Sequence, residues 1–306
     1  MKMRMSDNPI SYGGQAVMEG VLMRGKKAYA MAVRRPDGGI EVIEKPISSK
    51  ANNKFFKLPL VRGFVALCSS MALGYSALSQ SAEIALSEET ETTSKFEKFL
   101  TDKLGDKLNG ILMTFAMVIG VAVAIGLFML LPTFLASLLN IPATLRGVIE
   151  GLVRVFIFVG YVLLISRMKD IRRVFGYHGA EHKAIDCYEK KLPLTTENVA
   201  KCSRLHKRCG TSFMLVVMVV TMILFMVIRI DDIWLRFASR IALLPVIAGI
   251  SYEISVKWAG NRDNWLVRAI IFPGMLIQRI TTVEPDEGQI EIAVTALEKA
   301  VAQECD

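Results

Sequence analysis

The chain has 306 residues, of which 52% are hydrophobic, and its mean hydropathy is +0.40. These values are high for a soluble protein, and the long apolar runs indicate an integral membrane protein. The net charge of +8 is typical of basic cytoplasmic loops beside anionic lipid, so no specific nucleic acid is expected as a partner. We expect no cleaved signal peptide, because no apolar segment with a cleavage site follows the polar first ten residues. The five cysteines form no disulfide-like pattern, which favours free thiols or metal ligands in a reducing cytosol.

Residues 1–57 are predicted to be a cytosolic segment with a Gly-rich motif and a β-hairpin. The glycines of residues 13–25 indicate close backbone approach or unusual dihedral angles rather than a regular element. Gln15 and Glu19 are polar in this apolar run and are candidate pocket residues. The alternative is a buried loop that packs against the hairpin. The hairpin itself is predicted from residues 28–34 and 40–45, which flank the turn sequence Pro-Asp-Gly-Gly.

Residues 58–109 are predicted to form interfacial or amphipathic helices and a linker. Residues 60–85 are a helical run rich in Ala, Ser and Gly, with one arginine, Arg62, among them. We favour a position in the interface or beneath the membrane helices for this run, and a transmembrane span is the alternative. Residues 87–109 are charged and polar, which indicates a linker and a short amphipathic helix.

Four segments are long and apolar enough to cross a bilayer, and they form two pairs within residues 110–166 and 211–259. Residues 167–210, between the pairs, carry 11 Lys or Arg, so the positive-inside rule assigns this basic loop and both termini to the cytosol. The predicted fold class is a mainly α integral protein of the cytoplasmic membrane. It has about four transmembrane helices, a small N-terminal β-hairpin region and cytosolic helical segments. The predicted spans are residues 111–138, 148–165, 212–230 and 241–259.

Residues 260–306 are predicted to hold two further helices. Residues 264–280 are apolar but broken by Pro273-Gly274, which favours an interfacial or re-entrant helix. Residues 285–303 have apolar side chains at helical spacing, which predicts an amphipathic C-terminal helix.

All three histidines lie within 29 residues, and two of them belong to an H-x-x-E-H motif, His178 to His182. Residues four apart share one helix face, so His178 and His182 can bind one divalent metal, with zinc as the expected ion. Glu181 stands where an inverted zinc-peptidase motif keeps its general base. Gly179 weakens a helix, so we expect the motif near a helix start, after residue 177. Surface histidines in a basic loop are the alternative interpretation.

The expected third metal ligand is His206 or Glu253. Glu253 lies inside the fourth predicted span, about 9 Å below the surface that carries the histidines. An intramembrane carboxylate is a functional candidate, and its alternative is a salt bridge to Lys257. Cys202, His206 and Cys209 form a C-x3-H-x2-C pattern that would instead complete a closed structural zinc site with four protein ligands. Within the second span, Glu150 and Arg154 form an i, i+4 pair that we interpret as structural.

Several long motifs of the chain resemble the YqhQ family of bacterial membrane proteins. The resemblance covers nearly the whole chain and departs from the family mildly at Lys207, where the family more often has a proline. It implies a multi-pass membrane protein of unknown function, sometimes described as a predicted metal-dependent enzyme, and it supplies no substrate. The motifs are GGQAVMEGVLMRG (13–25), YHGAEHK (177–183), RCGTSF (208–213), GISYE (249–253), QRITT (278–282) and EPD (284–286).

Our leading hypothesis from the sequence is a membrane protein with a cytosol-facing metal site that acts as a metal-dependent hydrolase. Its partners are expected to be the lipid bilayer and membrane proteins, the latter as partners or substrates. One alternative is a non-enzymatic factor for membrane-protein assembly or quality control, with a structural metal or none. The other is a transporter or a transporter subunit that uses Glu253, which four spans without inverted repeats disfavour.

Overall fold

The computed structural model describes residues 12–47, 56, 58–86, 107–228, 230, 232–258 and 264–305. In these ranges the chain is mainly helical with one small antiparallel sheet near its N-terminus, which confirms the mainly α part of the predicted class. Most of the predicted linker lies outside the described residues, and only residues 107–109 of it are described, at the start of a helix.

The sheet has four antiparallel strands in sequence order, two strands more than the predicted hairpin. The predicted hairpin of β3 and β4 is confirmed, whereas the interpretation of the Gly-rich motif as irregular was wrong, because it forms β1 and β2. Glu19 takes a φ of 51° in the turn between these two. Gly20 is needed there, since a Cβ would lie 2.5 Å from the Ala32 carbonyl oxygen. The strands are β1 (Gly13–Val17), β2 (Gly20–Arg24), β3 (Ala28–Arg34) and β4 (Ile40–Pro46).

The helices account for most of the remaining described residues. Two π-helical segments, Gly126–Leu130 and Glu253–Trp258, adjoin them. In chain order the helices are α1 (Val61–Ala85), α2 (Lys107–Ile125), α3 (Leu131–Ser137), α4 (Ala143–Ile165), α5 (Lys169–Glu189), α6 (Thr196–Ala200), α7 (Gly210–Val227), α8 (Ile233–Tyr252), α9 (Trp265–Thr281) and α10 (Glu287–Cys305).

The chain divides into two compact units. The first comprises residues 1–87, 161–217 and 245–306, and it contains the sheet, α1, α5, α6, α9 and α10. The second comprises residues 88–160 and 218–244, and its described part is entirely helical.

Both faces of the sheet in the first unit are buried by helices. Each strand contributes to both faces, because successive side chains of a strand point to opposite sides. Two helices, α5 and α10, cover one face, and Ala77 of α1 packs on the other. The face toward α5 and α10 presents Val21, Met23, Ala30 and Ala32. The face toward α1 presents Val17, Leu22, Met31 and Val33. This packing fixes α5, which carries the H-x-x-E-H motif, against the sheet.

Within the part of the chain that the structure describes, five helical stretches are long and apolar enough to cross a membrane, rather than about four. Four of them coincide with the predicted spans. The fifth is α1, for which the sequence favoured an interfacial position and left spanning as the alternative. In the first of the four predicted spans, the π-helical segment Gly126–Leu130 lies directly before the short helix α3, which contains Pro132.

The predicted helix after the fourth span is present as α9 (residues 265–281), and it continues through Pro273 without the expected break. Asn264 caps α9 by accepting a 2.9 Å hydrogen bond from the Val267 N–H, and Gly274 allows close packing on Ser212 of α7. The H-x-x-E-H motif lies in the middle of α5 rather than near its start, because burial in the core outweighs the helix cost of Gly179. The predicted C-terminal helix is confirmed as α10.

The Glu150–Arg154 pair lies in the second unit and belongs to a larger buried cluster. The Arg154 guanidinium donates to the Glu150 carboxylate at 3.0 Å, and the Thr133 hydroxyl donates to the same oxygen at 2.9 Å. Arg240 of α8 forms a second ion pair with Glu150 at 2.5 Å. These contacts tie α3, α4 and α8 together through polar groups, which supports the structural interpretation.

Candidate metal centre

Three potential metal ligands converge in the first unit: His178, His182 and Cys209. One ligand atom from each lies within 4.8 Å of the other two. The imidazole rings of His178 and His182 are 4.4 Å apart between centroids, as expected one turn apart on α5. The Cys209 thiol lies 3.4 Å from His178 Nε2 and directly precedes α7, where the Thr211 N–H donates to its sulfur. The structure therefore assembles two imidazoles and one thiol around a common point.

The second nitrogen of each imidazole is held by a main-chain carbonyl oxygen. His178 Nδ1 lies 2.9 Å from the Thr281 oxygen, and His182 Nδ1 lies 2.7 Å from the Arg204 oxygen. Because a carbonyl oxygen only accepts, each Nδ1 carries the proton and each Nε2 keeps a lone pair. Burial lowers the pKa of His182, so its ring is neutral at pH 7. Neutral imidazoles with Nδ1 anchored in this way are the form in which histidine binds metal ions in proteins.

Gly179 explains how the Thr281 carbonyl reaches the motif. A Cβ at position 179 would collide with the Val283 carbonyl oxygen, so only glycine lets this segment lie against α5. The Val283 N–H donates to the Phe175 carbonyl oxygen at 2.9 Å and fixes the segment there. The glycine that appeared to weaken a helix is thus a condition for orienting His178.

Gln278 fixes the chain between the histidine helix and Cys209. Its fully buried amide donates to the Ser212 hydroxyl at 2.7 Å and to the His206 carbonyl at 2.9 Å. Its oxygen accepts a 2.9 Å hydrogen bond from the His206 N–H. Sequence reasoning placed Gln278 in a distinctive motif but assigned it no role. A glutamine in a largely apolar helical run was the available signal.

Glu181 lies beside the histidines but faces β1. Its side chain is only 4% exposed and packs on Gly14, where a Cβ would lie 2.9 Å from the carboxyl carbon. Burial raises the pKa of Glu181, while His178, His206 and a hydrogen bond from the Gly14 main chain act in the opposite direction. A buried carboxyl group with a raised pKa therefore lies one residue before His182 on α5.

Neither predicted third ligand belongs to the converging group. The His206 ring lies 5.8 Å from that of His182 between centroids, and its Nε2 is 3.3 Å from a carboxylate oxygen of Glu189. The Glu253 carboxylate forms a two-point ion pair with Arg62 of α1, with 2.7 Å between Arg62 Nε and Glu253 Oε1. The side chain of Lys257, its alternative partner, lies outside the described residues. Cys209 occupies the third position instead.

Cys202 lies away from the histidines. It is buried in the core together with Cys187. Burial raises the pKa of the Cys187 thiol to about 12, and the neighbouring Cys202 adds to the effect. Among the described residues, a closed four-ligand site that combines Cys202, His206 and Cys209 is therefore not formed.

Glu19 and Gln15 lie outside the metal-ligand set as well. The Glu19 carboxylate binds the Arg173 guanidinium, with one hydrogen bond of 2.6 Å, and accepts a 3.0 Å hydrogen bond from the Tyr177 hydroxyl. The Gln15 amide lies next to Gly74 of α1. Both side chains connect the first hairpin to neighbouring helices.

The fold and the site define a mainly helical protein with five helices apolar enough to cross a membrane and a His-His-Cys cluster carried by its first unit. The chain belongs to the family described as "Protein of unknown function (DUF1385)", whose family model matches residues 58–303. It is 38% identical over 309 residues to the "Uncharacterized protein YqhQ" of Bacillus subtilis (strain 168), which covers 97% of this chain and 94% of that protein. The resemblance inferred from the sequence motifs is thereby confirmed. No solved structure matches the chain.

Proposed function

We propose that this chain is a protein of the cytoplasmic membrane that binds one zinc ion through His178, His182 and Cys209 and acts as a metal-dependent hydrolase. The observation that carries the proposal is the anchoring of both imidazoles. Each Nδ1 is bound to a main-chain carbonyl oxygen while each Nε2 is left for the ion. Because one ligand atom from each imidazole and from Cys209 also lies within 4.8 Å of the other two, the anchored rings are placed to bind a single ion.

The donor set favours zinc and a catalytic site. Two imidazole nitrogens and one thiolate match the ligands that zinc prefers. Structural zinc sites use four protein ligands, whereas catalytic sites use three and leave one position for water or substrate. Three ligands converge among the described residues, which is the number that favours an enzyme.

Glu181 is the residue we assign to proton transfer. A zinc ion at this position would lower the pKa of a bound water to about 7. Because burial raises the pKa of Glu181, its carboxyl group holds a proton closer to neutral pH than an exposed glutamate does. The close packing of Gly14 restricts the carboxyl group, so that it stays beside His178.

The membrane and the cytosol are the expected surroundings of this site. Five apolar helices support the membrane assignment, and the 11 Lys or Arg of residues 167–210 support a cytosolic position for the histidine helix. The ion pair with Arg62 neutralises Glu253, which removes the observation that favoured a transporter.

Metal analysis of the purified full chain tests the proposal. We expect one zinc per chain in the wild type, and its loss in His178→Ala, His182→Ala and Cys209→Ser. His206→Ala is the matched control and retains the metal, because its ring is outside the converging group. Correctly folded wild-type protein without metal would overturn the proposal.

A second variant separates an enzyme from a structural metal site. Glu181→Gln keeps the metal ligands, so it should retain zinc but fail to restore function in cells that lack the wild-type protein. Full function of Glu181→Gln would contradict the hydrolase and leave a non-enzymatic assembly or quality-control factor with a structural metal.

A further inference from the structure

A cavity of about 250 Å³ in the first unit lies directly beside the proposed metal ligand Cys209. Its wall comes from α1, α7, α9 and the π-helical segment Glu253–Trp258, and most of that wall is apolar. Cys209 itself forms part of the lining, so a molecule in the cavity would touch one of the three ligands. The apolar side chains of the wall include Ala66, Leu67, Val216, Ile270 and Ile271.

A second cavity of about 440 Å³ adjoins the first, because Lys207 and Ile271 line both. Arg268 and Arg279 of α9 also line the second cavity. Neither lining contains a carboxylate among the residues that the structure describes. The first cavity, the apolar compartment, has basic side chains only at its end near Lys207 and Arg208. The second is also mostly apolar but adds the guanidinium groups of Arg268 and Arg279. Cys209 lies two residues from the shared Lys207.

One polar group in the apolar compartment lacks an internal partner. Ser255, in the π-helical segment, has a buried hydroxyl that makes no hydrogen bond with any described residue. A buried hydroxyl without a partner is costly, and π-helical turns are frequent at functional sites.

The dimensions of the apolar cavity decide between two kinds of occupant. An α-helix with its side chains is about 10–12 Å wide, so a transmembrane segment of a protein cannot enter a space of this volume. Pockets for compact drug-sized ligands hold roughly 300–1,000 Å³. The observed 250 Å³ is slightly below this range, which suits one flexible hydrocarbon chain.

We infer that the two cavities bind a single-chain anionic amphiphile, with its hydrocarbon chain against Ala66 and Val216 and its anionic headgroup near Lys207 and Arg279. This places the junction between chain and headgroup next to Cys209. Binding of this molecule does not depend on the proposed function. Its assignment as the substrate class of the metal site does rest on the proposed function.

Binding of alkyl phosphates to the full chain tests the inference. Hexyl, octyl and decyl phosphate are equilibrated with amphipol-solubilised protein. The dissociation constant of each is calculated from its free concentration in the aqueous phase. We expect saturable one-to-one binding that tightens by about fourfold for each added methylene, the factor that corresponds to burying one CH₂ group. Decyltrimethylammonium, which has the opposite charge, should not compete.

Two variants of α1 provide a matched pair. Ala66→Phe fills the cavity from its wall and should weaken decyl phosphate binding by at least about tenfold, the loss expected if two methylenes are excluded. Ala72→Phe introduces the same side chain at an exposed position of the same helix and should bind as the wild type. If Ala66→Phe fails to fold, Val216→Phe fills the cavity from α7 instead.

Unchanged binding in both cavity-filling variants would overturn the inference, as would equal binding of the cationic probe. Displacement of decyl phosphate by an apolar helical peptide would assign the cavity to a protein partner instead. Zinc is measured on the same samples. If the wild type contains zinc but does not bind the amphiphile, only the amphiphile inference is contradicted. If the metal-free wild type binds the amphiphile, only the proposed function is contradicted.

Discussion

The Nδ1 atom of His178 donates a hydrogen bond to the main-chain carbonyl oxygen of Thr281, 2.9 Å away in space and 103 residues away in sequence. The orientation of a proposed metal ligand on α5 therefore depends on the C-terminal end of α9. The side chain of Thr281 does not form this contact, so substitutions that keep its backbone in place leave the hydrogen bond intact. Substitutions that push the segment away from α5 break it.

Gly179→Ala should displace the segment that carries Thr281, because a methyl group at this position collides with the Val283 carbonyl oxygen. We expect the free energy of unfolding to fall by about 1–3 kcal/mol, as for other overpacked sites. Zinc affinity should fall roughly 10–100-fold, as when a partner that orients a metal-bound histidine is lost. Thermal unfolding and a zinc titration measure the two effects. Gly160→Ala, with open space around the glycine, is the control and should leave both unchanged.

Cys209→Ser should remove the only sulfur from the proposed ligand set. In protein loaded with cobalt(II), we expect the wild type to show a thiolate-to-cobalt charge-transfer band in the near ultraviolet, because a thiolate is coordinated. The band should be absent from Cys209→Ser. Cys68→Ser, at an exposed cysteine of α1, should retain it. A band that survives in Cys209→Ser would show that another thiol binds the metal.

Gln278→Leu should destabilise the first unit without removing a metal ligand. The change leaves the buried Ser212 hydroxyl and the main-chain groups of His206 without their partner. Each buried group left without a hydrogen bond costs about 1–3 kcal/mol, so we expect a clear drop in melting temperature. Gln80→Leu, which removes hydrogen bonds only at an exposed position of α1, should have little effect. Equal melting temperatures for the two variants would contradict the role assigned to Gln278.

The Arg62–Glu253 ion pair should affect stability and not metal binding. Both side chains are partly exposed, so we expect Arg62→Met to lower the free energy of unfolding by only about 1 kcal/mol. The double variant Arg62→Met with Glu253→Gln should recover part of that loss, because no unpaired carboxylate remains. Zinc content should equal that of the wild type in all variants. Loss of zinc in Glu253→Gln would restore Glu253 as a ligand.

Elements with a regular local pattern were predictable from the sequence. The hairpin of β3 and β4 has a turn sequence between two strand-like runs, and α10 has apolar side chains at helical spacing. The apolar spans follow from length and composition, which is a property of each segment alone. The β1–β2 hairpin was missed because the four glycines of residues 13–25 outweighed its strand pattern. The close approach of β1 to α5 that Gly14 permits is a tertiary feature.

The metal-ligand set was likewise predictable from the sequence only in part. The four-residue spacing of His178 and His182 determined that they share a helix face, because that geometry is local. Which third group reaches them was decided only by the tertiary structure. His206 and Cys209 are three residues apart, and contacts with Glu189 and Gln278 hold the imidazole aside while the thiol faces α5. Those contacts join segments that are distant in sequence. A local sequence pattern therefore cannot predict whether the side chain of His206 or that of Cys209 faces the two histidines of α5.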